Sequence, residues 1–276
     1  FESPETRRVQ RLISVRIACL PVFAGLSLLL VNGCRPALDA QYVTGKSVKT
    51  LDEELRQTVV SIVLERSGTP TSPKPLAEPN APKEGVLRGR DLYNRYCQQC
   101  HGGSGDGDGE AAAFLYPRPR DYRKGIFKFT TTPYGNRPRR ADLLRTLRRG
   151  IPGTSMPSFK LHPDRDLEAL VDYVLLLTHR GELETRLTLE AEFEEEIDPD
   201  YVPDIIDEVL LRWDSAERSE VHPLTNQPAF LTDAHIAAGR EAFLSKGCSK
   251  CHGEDGRGMT KDNIGKDAWG FTTRAA

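Results

Sequence analysis

The stretch whose reading decides the fold is YCQQCHGGSGDGDGE, residues 96–110. Two cysteines three positions apart are followed at once by histidine and glycine, then by a Gly/Asp-rich run. On a helix such cysteines lie on one face, a turn apart. The pattern returns as GCSKCHGEDGRGMTK at 247–261. The likeness also extends upstream, where Gly89, Arg90 and Tyr93 correspond to Gly239, Arg240 and Phe243. The second copy has one extra residue before its first cysteine. Each copy therefore reads as a helix, Cys-x-x-Cys-His-Gly and a Gly/Asp-rich loop.

Two thiols one turn apart, with a histidine directly behind them, suit a planar macrocycle held through two side groups, its central metal facing the imidazole. This is the attachment signature of c-type haem. A zinc ribbon would want two Cys pairs close together, and a thioredoxin-like pair has no use for the adjoining His-Gly. The reading assigns two covalently attached haems c: one on Cys97, Cys100 and His101, the other on Cys248, Cys251 and His252. The glycine after each histidine is expected to let the backbone pass close to the ring.

A second axial ligand is sought among two methionines. Met156 lies in RGIPGTSMPSF, where Pro152 and Pro157 stiffen a loop between two expected helices. The pair His101 and Met156 is the expected iron ligation of the first haem, with His162 and His179 as weaker candidates. Met259 lies seven residues beyond His252, too short a loop to pass round the ring. His252 is therefore expected to find its distal partner beyond Ala276. YPRPRDYRKGIFKF supplies Arg118, Arg120, Arg123, Lys124 and Lys128. Arg120 is the candidate for a haem propionate, since guanidinium groups pair well with carboxylates.

On these residues, 86–180 resembles a class I cytochrome c domain. The resemblance rests on the first helix with Gly89 and Tyr93, Cys97-x-x-Cys100-His101, the Met156 loop and a last helix carrying Tyr173. It implies an all-α shell in which first and last helices cross, a small residue meeting an aromatic one, around a six-coordinate haem. Residues 232–276 resemble the N-terminal part of a second such domain.

The remaining chain is read from pattern. RRVQRLISVR (7–16) carries four arginines, and IACLPVFAGLSLLLVNG (17–33) carries no charge. That is the order of a signal peptide. LLLVNGC resembles a bacterial lipoprotein signal, which would make Cys34 the lipidated first residue. An uncleaved transmembrane anchor is the alternative, although 17 residues containing Pro21 are short for a span of about 20. TLDEELRQTVVSIVLERSG (50–68) reads as an amphipathic helix with a Thr50/Glu53 capping box. The five prolines of TPTSPKPLAEPNAPKEG (69–85) predict an extended spacer. ADLLRTLRRG and DRDLEALVDYVLLLTHRG read as helices ending at Gly150 and Gly181. ELETRLTLEAEFEEE and PDIIDEVLLRW read as two short helices, and Thr232 as the N-cap of another.

The division expected is 1–33 signal peptide, 34–85 tether, 86–180 first domain, 181–231 acidic helical linker and 232–276 start of the second domain. Because the chain opens on Phe1 and stops soon after the second motif, it reads as a fragment at both ends.

Formal net charge is −2, but the distribution is divided. Residues 86–160 carry fifteen Lys+Arg against six Asp+Glu, and 181–222 three against fifteen. The two blocks meet different partners, face each other or are simply two solvated faces. All six cysteines are accounted for without a disulfide: four in the motifs, Cys19 and Cys34 in or just after the apolar run. No phosphate loop or nucleic-acid motif accompanies the basic block. The expected function is single-electron transfer by a membrane-anchored diheme cytochrome on the periplasmic side of a bacterial membrane. Its partners would be redox proteins with an acidic docking face, and nucleic acid is excluded. The alternatives are a diheme peroxidase, which needs an open haem, or the haem subunit of a larger oxidoreductase complex. The chain itself reads as a carrier rather than an enzyme.

Overall fold

The computed structural model of the chain describes residues 41–77, 83–222, 231–258, 260–261, 265–266, 270 and 272–273. Its helices are α1 (Glu53–Ser67), α2 (Lys83–Tyr96), α3 (Gln98–His101), α4 (Arg140–Arg149), α5 (Asp164–Glu194), α6 (Val202–Glu217), α7 (Asp233–Ser245) and α8 (Ser249–His252). The described extended structure is one antiparallel pair of two-residue strands, β1 (Gly265–Lys266) with β2 (Thr272–Thr273), and an isolated bridge between Gly68 and Pro73. The fold is all-α, as expected.

Helix α5 organises the molecule. Its first half crosses α2, where Gly89 lets the backbones close: a Cβ there would stand 1.9 Å from the Ala169 carbonyl oxygen and 3.0 Å from Tyr173 Cβ. Around this crossing Tyr93, Leu167, Leu170, Tyr173 and Leu177 are almost wholly buried, and α4 adds Leu143, Leu144 and Leu147. Burying a leucine of this kind stabilises the fold by about 1.5–3 kcal/mol.

The second half of α5 carries a separate core. Leu183, Leu187 and Ala191 pack with Val59 and Val63 of α1, Val202 and Ile205 of α6, and Val48, Leu51 and Leu76. Four expectations change here. The helix read over DRDLEALVDYVLLLTHRG does not end at Gly181. Helix α5 runs through it as 31 continuous residues, so the acidic run 182–194 is its continuation rather than a separate short helix. Gly181 is small for a packing reason instead, since a Cβ would lie 2.3 Å from Cβ and 2.4 Å from Cα of Arg123. The N-cap of α1 is Asp52, whose side chain accepts from Leu55 N, while Thr50 closes a preceding 3-10 turn. The cap thus falls on the carboxylate nearest the first free amides. The described part of the proline stretch, 69–77, is not an extended spacer. It folds back on α1 through Lys74 N to Ser67 O at 2.9 Å, and Leu76 enters the second core. Apolar residues in and beside a Pro-rich run override its preference for extension when a groove is at hand. The tether and linker segments, in their described parts, thus pack onto the same long helix.

The two charge blocks also meet in part. Arg137 pairs with Glu182, Arg139 with Glu220, and Arg140 N donates to Glu217. Arg140 also pairs with Glu168 and Asp172 at 2.6 Å each.

His179 lies between these elements. Its ring stands edge-on to Trp213 at 5.0 Å, and its Nε2 has no hydrogen-bond partner among the described residues. Burial, then the charge of Arg137, lowers its pKa from 6.5 to about 4. The folded state therefore resists protonation. The stability tied to this neutral ring is complete above the unfolded value of 6.5 and is lost as pH falls from there through about 4. In paired denaturant titrations at pH 7 and pH 4, His179→Phe is expected to lose less stability than the parent, by up to roughly 3 kcal/mol. Equal losses in the two proteins would show that His179 is not strained when charged.

Candidate functional site

The first motif sits where α2 ends. Cys97 N bonds Tyr93 O, and Cys100 N and His101 N both bond Cys97 O, at 3.1 and 2.8 Å. One helical turn thus holds both thiols and the imidazole. Gly102 then reverses the chain at φ 73°, where a Cβ would strike Asp106 Oδ1 at 1.9 Å. The glycine after histidine is required by this left-handed turn. Its carbonyl accepts from the Tyr93 hydroxyl at 2.9 Å, locking the turn to the α2–α5 crossing.

His101 is fixed on two sides. Its Nδ1 lies 3.1 Å from the Arg120 carbonyl oxygen. A carbonyl only accepts, so Nδ1 carries the proton and Nε2 keeps its lone pair, the tautomer a metal ligand requires. Tyr122 stacks on the ring at 4.6 Å between centroids, with a 22° interplanar angle. Burial drops the imidazole from 6.5 to about 4, so the ring is neutral near pH 7. Burial likewise pushes the Cys97 thiol up to about 12. None of the four motif cysteines is in a disulfide.

These residues line a cavity of about 1290 Å³, above the roughly 300–1,000 Å³ usual for small-ligand clefts. Cys97, Cys100, His101 and Met156 all line it, with apolar walls from Leu143, Leu147, Phe159, Val171 and Val174. Met156 is half-buried, and Ile151 N to Met156 O (3.1 Å) with Met156 N to Thr154 Oγ1 (3.1 Å) brace its loop. The donor set fits haem c: two thiols one turn apart, an imidazole with a free Nε2, a thioether and an apolar enclosure.

Arg118 pairs with Asp108, and Arg123 forms a two-bond pair with Asp121 at 3.0 and 2.9 Å. All of the expected cations, Arg118, Arg120, Arg123, Lys124 and Lys128, line the cavity. His162 and His179 do not. The ring of His162 packs on Tyr96 at 4.9 Å, and that of His179 on Trp213.

The second motif repeats the local geometry, with His252 N to Cys248 O at 3.0 Å and Gly253 at φ 76°. Its surroundings differ. Cys248 and Cys251 are exposed, and the His252 ring lies 6.4 Å from Phe243. Gly239, the counterpart of Gly89, meets nothing within 4 Å among the described residues. Cys34 and Met259 lie outside the described residues. Among those described, no helix is long and apolar enough to cross a membrane.

Sequence reasoning missed three features. Tyr122 had no signal beyond being aromatic and near the motif. Trp213 was placed on a helix but given no role. Residues 43–49 approach the cavity through Val43 N to Ser104 Oγ (2.6 Å) and Gly45 N to Glu184 Oε1 (2.7 Å), which nothing in their composition announces.

The crossing of α2 and α5, the first motif and its cavity are like those of a c-type cytochrome domain. Residues 84–174 match the family model of cytochrome c oxidase, cbb3-type, subunit III. A chain of the reducing HAO-like protein complex from Kuenenia stuttgartiensis is similar over 70% of this chain and 74% of its own, at 26% identity and a TM-score of 0.52. That likeness extends well beyond residues 84–174. No curated protein matches. A c-type cytochrome domain implies covalently bound haem c and electron transfer by a haem protein.

Proposed function

We propose that the chain is a diheme c-type cytochrome, anchored outside the cytoplasm by a lipid on Cys34, that relays single electrons between redox proteins. The observation that carries this reading is the convergence of Cys97, Cys100, His101 and Met156 on one cavity, together with the second motif at Cys248, Cys251 and His252. Cys97 and Cys100 would hold the first haem through thioethers, His101 Nε2 and Met156 Sδ would bind its iron, and Arg120 would face a propionate. When bound, haem c supplies a one-electron couple, and Met–His ligation raises its potential. The protein residues keep that couple closed to other chemistry. The Arg120 carbonyl fixes the imidazole tautomer, the braced Met156 loop would present its thioether to the iron, and the apolar walls exclude water. These features favour fast electron exchange over peroxide binding.

Lys124 and Lys128 at the cavity suit an acidic partner, so exchange with it slows as salt rises. Kinship with a chain from a protein complex favours a second, compatible reading, in which this cytochrome works as the haem subunit of a larger oxidoreductase assembly.

Intact mass measurement of the mature protein tests the proposal in one experiment. Two haems per chain and a start at lipidated Cys34 are expected. One haem overturns the diheme assignment, and any residue before Cys34 overturns the lipid anchor. Enzymatic peroxide turnover with a high-spin signal from the second haem would replace the carrier by a peroxidase.

A further inference from the structure

Four rings run outward from the proximal side of the first haem site. The Tyr122 ring stacks on His101 at 4.6 Å. Phe127 lies nearly parallel to Tyr122, at 5.9 Å and 9°. Trp213 of α6 meets Phe127 edge-to-face at 6.3 Å. These are separations of rings in contact. The column is held rigidly at its outer end. Trp213 Nε1 donates to Glu182 Oε2 at 2.7 Å, and Glu182 is ion-paired with Arg137. A second branch leaves Tyr122 for Tyr93 and Tyr173, which are almost fully buried. That inner branch serves the core. The outer branch ends beneath a surface helix, outside the stretch 84–174 that matches the cytochrome family model.

We propose that Tyr122, Phe127 and Trp213 form an electron route from the proximal ligand His101 to helix α6, giving the first haem a second port for a one-electron carrier besides its cavity mouth. The proposal rests on haem attachment at His101. Contiguous π systems couple a donor and an acceptor better than saturated side chains or water over the same span. One electron leaves the ferrous iron, which becomes ferric, and one acceptor centre at the surface is reduced. The rings lend orbitals and are not themselves oxidised.

The test uses the full-length protein with both motifs loaded with haem. A photo-activated ruthenium polypyridyl complex is attached through Asp214→Cys, an exposed position beside Trp213. In a second preparation it is attached through Lys160→Cys, exposed on the loop that follows Met156. A flash in the presence of a sacrificial electron acceptor oxidises the complex to ruthenium(III), which then draws one electron from the reduced haem at a rate read by absorbance. From position 214, Phe127→Leu and Trp213→Leu should each slow transfer severalfold, and Trp213→Phe should keep most of the rate. From position 160 none of the three should matter. Haem potential and melting temperature are measured alongside. Phe127 is only half-buried, so Phe127→Leu remains informative if Trp213→Leu proves unstable.

Unchanged rates from position 214 in both leucine variants overturn the route. Equal slowing from both positions also overturns it, because it would reflect a change at the haem. A parent protein without covalent haem at the first motif overturns the attachment reading instead, and shows itself in the spectrum before any rate is measured.

Discussion

Replacing Met156 by alanine is expected to leave haem attached but lower its potential on the order of 0.1–0.3 V, within the about 0.8 V that axial ligands span. The attachment residues Cys97 and Cys100 lie on a different element and do not depend on the sulfur. The loop also survives, because its bracing is independent of the Met156 side chain. Ile151 N bonds the Met156 carbonyl, Thr154 Oγ1 bonds Ile151 O at 2.8 Å, and Phe159 N bonds Leu147 O at 2.9 Å. Gly150, at φ 64°, closes against Pro157. Under the proposed ligation, what disappears is one soft ligand that would stabilise the reduced iron. The absorption band from sulfur–iron charge transfer should vanish, and the freed position should bind added imidazole. Met156→Leu keeps the packing and must give the same fall in potential. If the potential falls with alanine but not with leucine, the cause is lost packing and the sulfur is not a ligand. An unchanged band in either variant also refutes the assignment.

The geometry that is legible in the sequence is local. Cys-x-x-Cys-His carries its geometry within one turn, and Gly89 with Tyr93 and Tyr173 marks a crossing through size alone. Thr232 caps its helix as its type and position suggest. What could not be read are residues defined by contact. Gly181 looks like the last residue of a helix until Arg123 is seen against it. The acidic run 182–194 looks solvated until Leu183 and Leu187 are found in a core with α1 and α6. In a 3.6-residue period the same segment can face water on one side and bury the other. Its high charge masked the buried stripe. The proline run misled for a related reason, since composition describes a chain's free preference and Leu76 had a groove to fill. At the site, the Arg120 side chain attracted notice for its charge, while its backbone carbonyl performs the contact the structure makes plain, fixing the proton on His101.

The second large effect is expected at the helix crossing. In an isolated helix, Gly→Ala stabilises by about 1 kcal/mol. At Gly89 the added methyl would stand 1.9 Å from the Ala169 carbonyl oxygen and 2.7 Å from its carbon. Both are backbone atoms of α5 and cannot turn away as a flexible side chain would. Helices α2 and α5 must separate, loosening Tyr93 and Tyr173, which are 5.3 Å apart at their ring centroids. Overpacking costs typically about 1–3 kcal/mol and sometimes more, and this clash belongs at the upper end, so it outweighs the propensity gain. Gly89→Ala should therefore destabilise by about 2–4 kcal/mol, lowering the melting temperature by roughly 5–15 °C. Movement of α2 also displaces Cys97 and weakens the Tyr93 hydroxyl bond to Gly102 O, so haem incorporation should fall. Gly239→Ala supplies the opposite case within the same protein. Nothing described lies within 4 Å of a Cβ there, and the propensity gain should stand alone, leaving the melting temperature unchanged or slightly raised. In a longer chain that supplies a crossing helix for the second motif, Gly239→Ala should acquire the penalty of Gly89→Ala. Calorimetry on the two variants would separate these cases. Equal and small effects at both glycines would mean that the α2–α5 crossing is looser than its geometry requires.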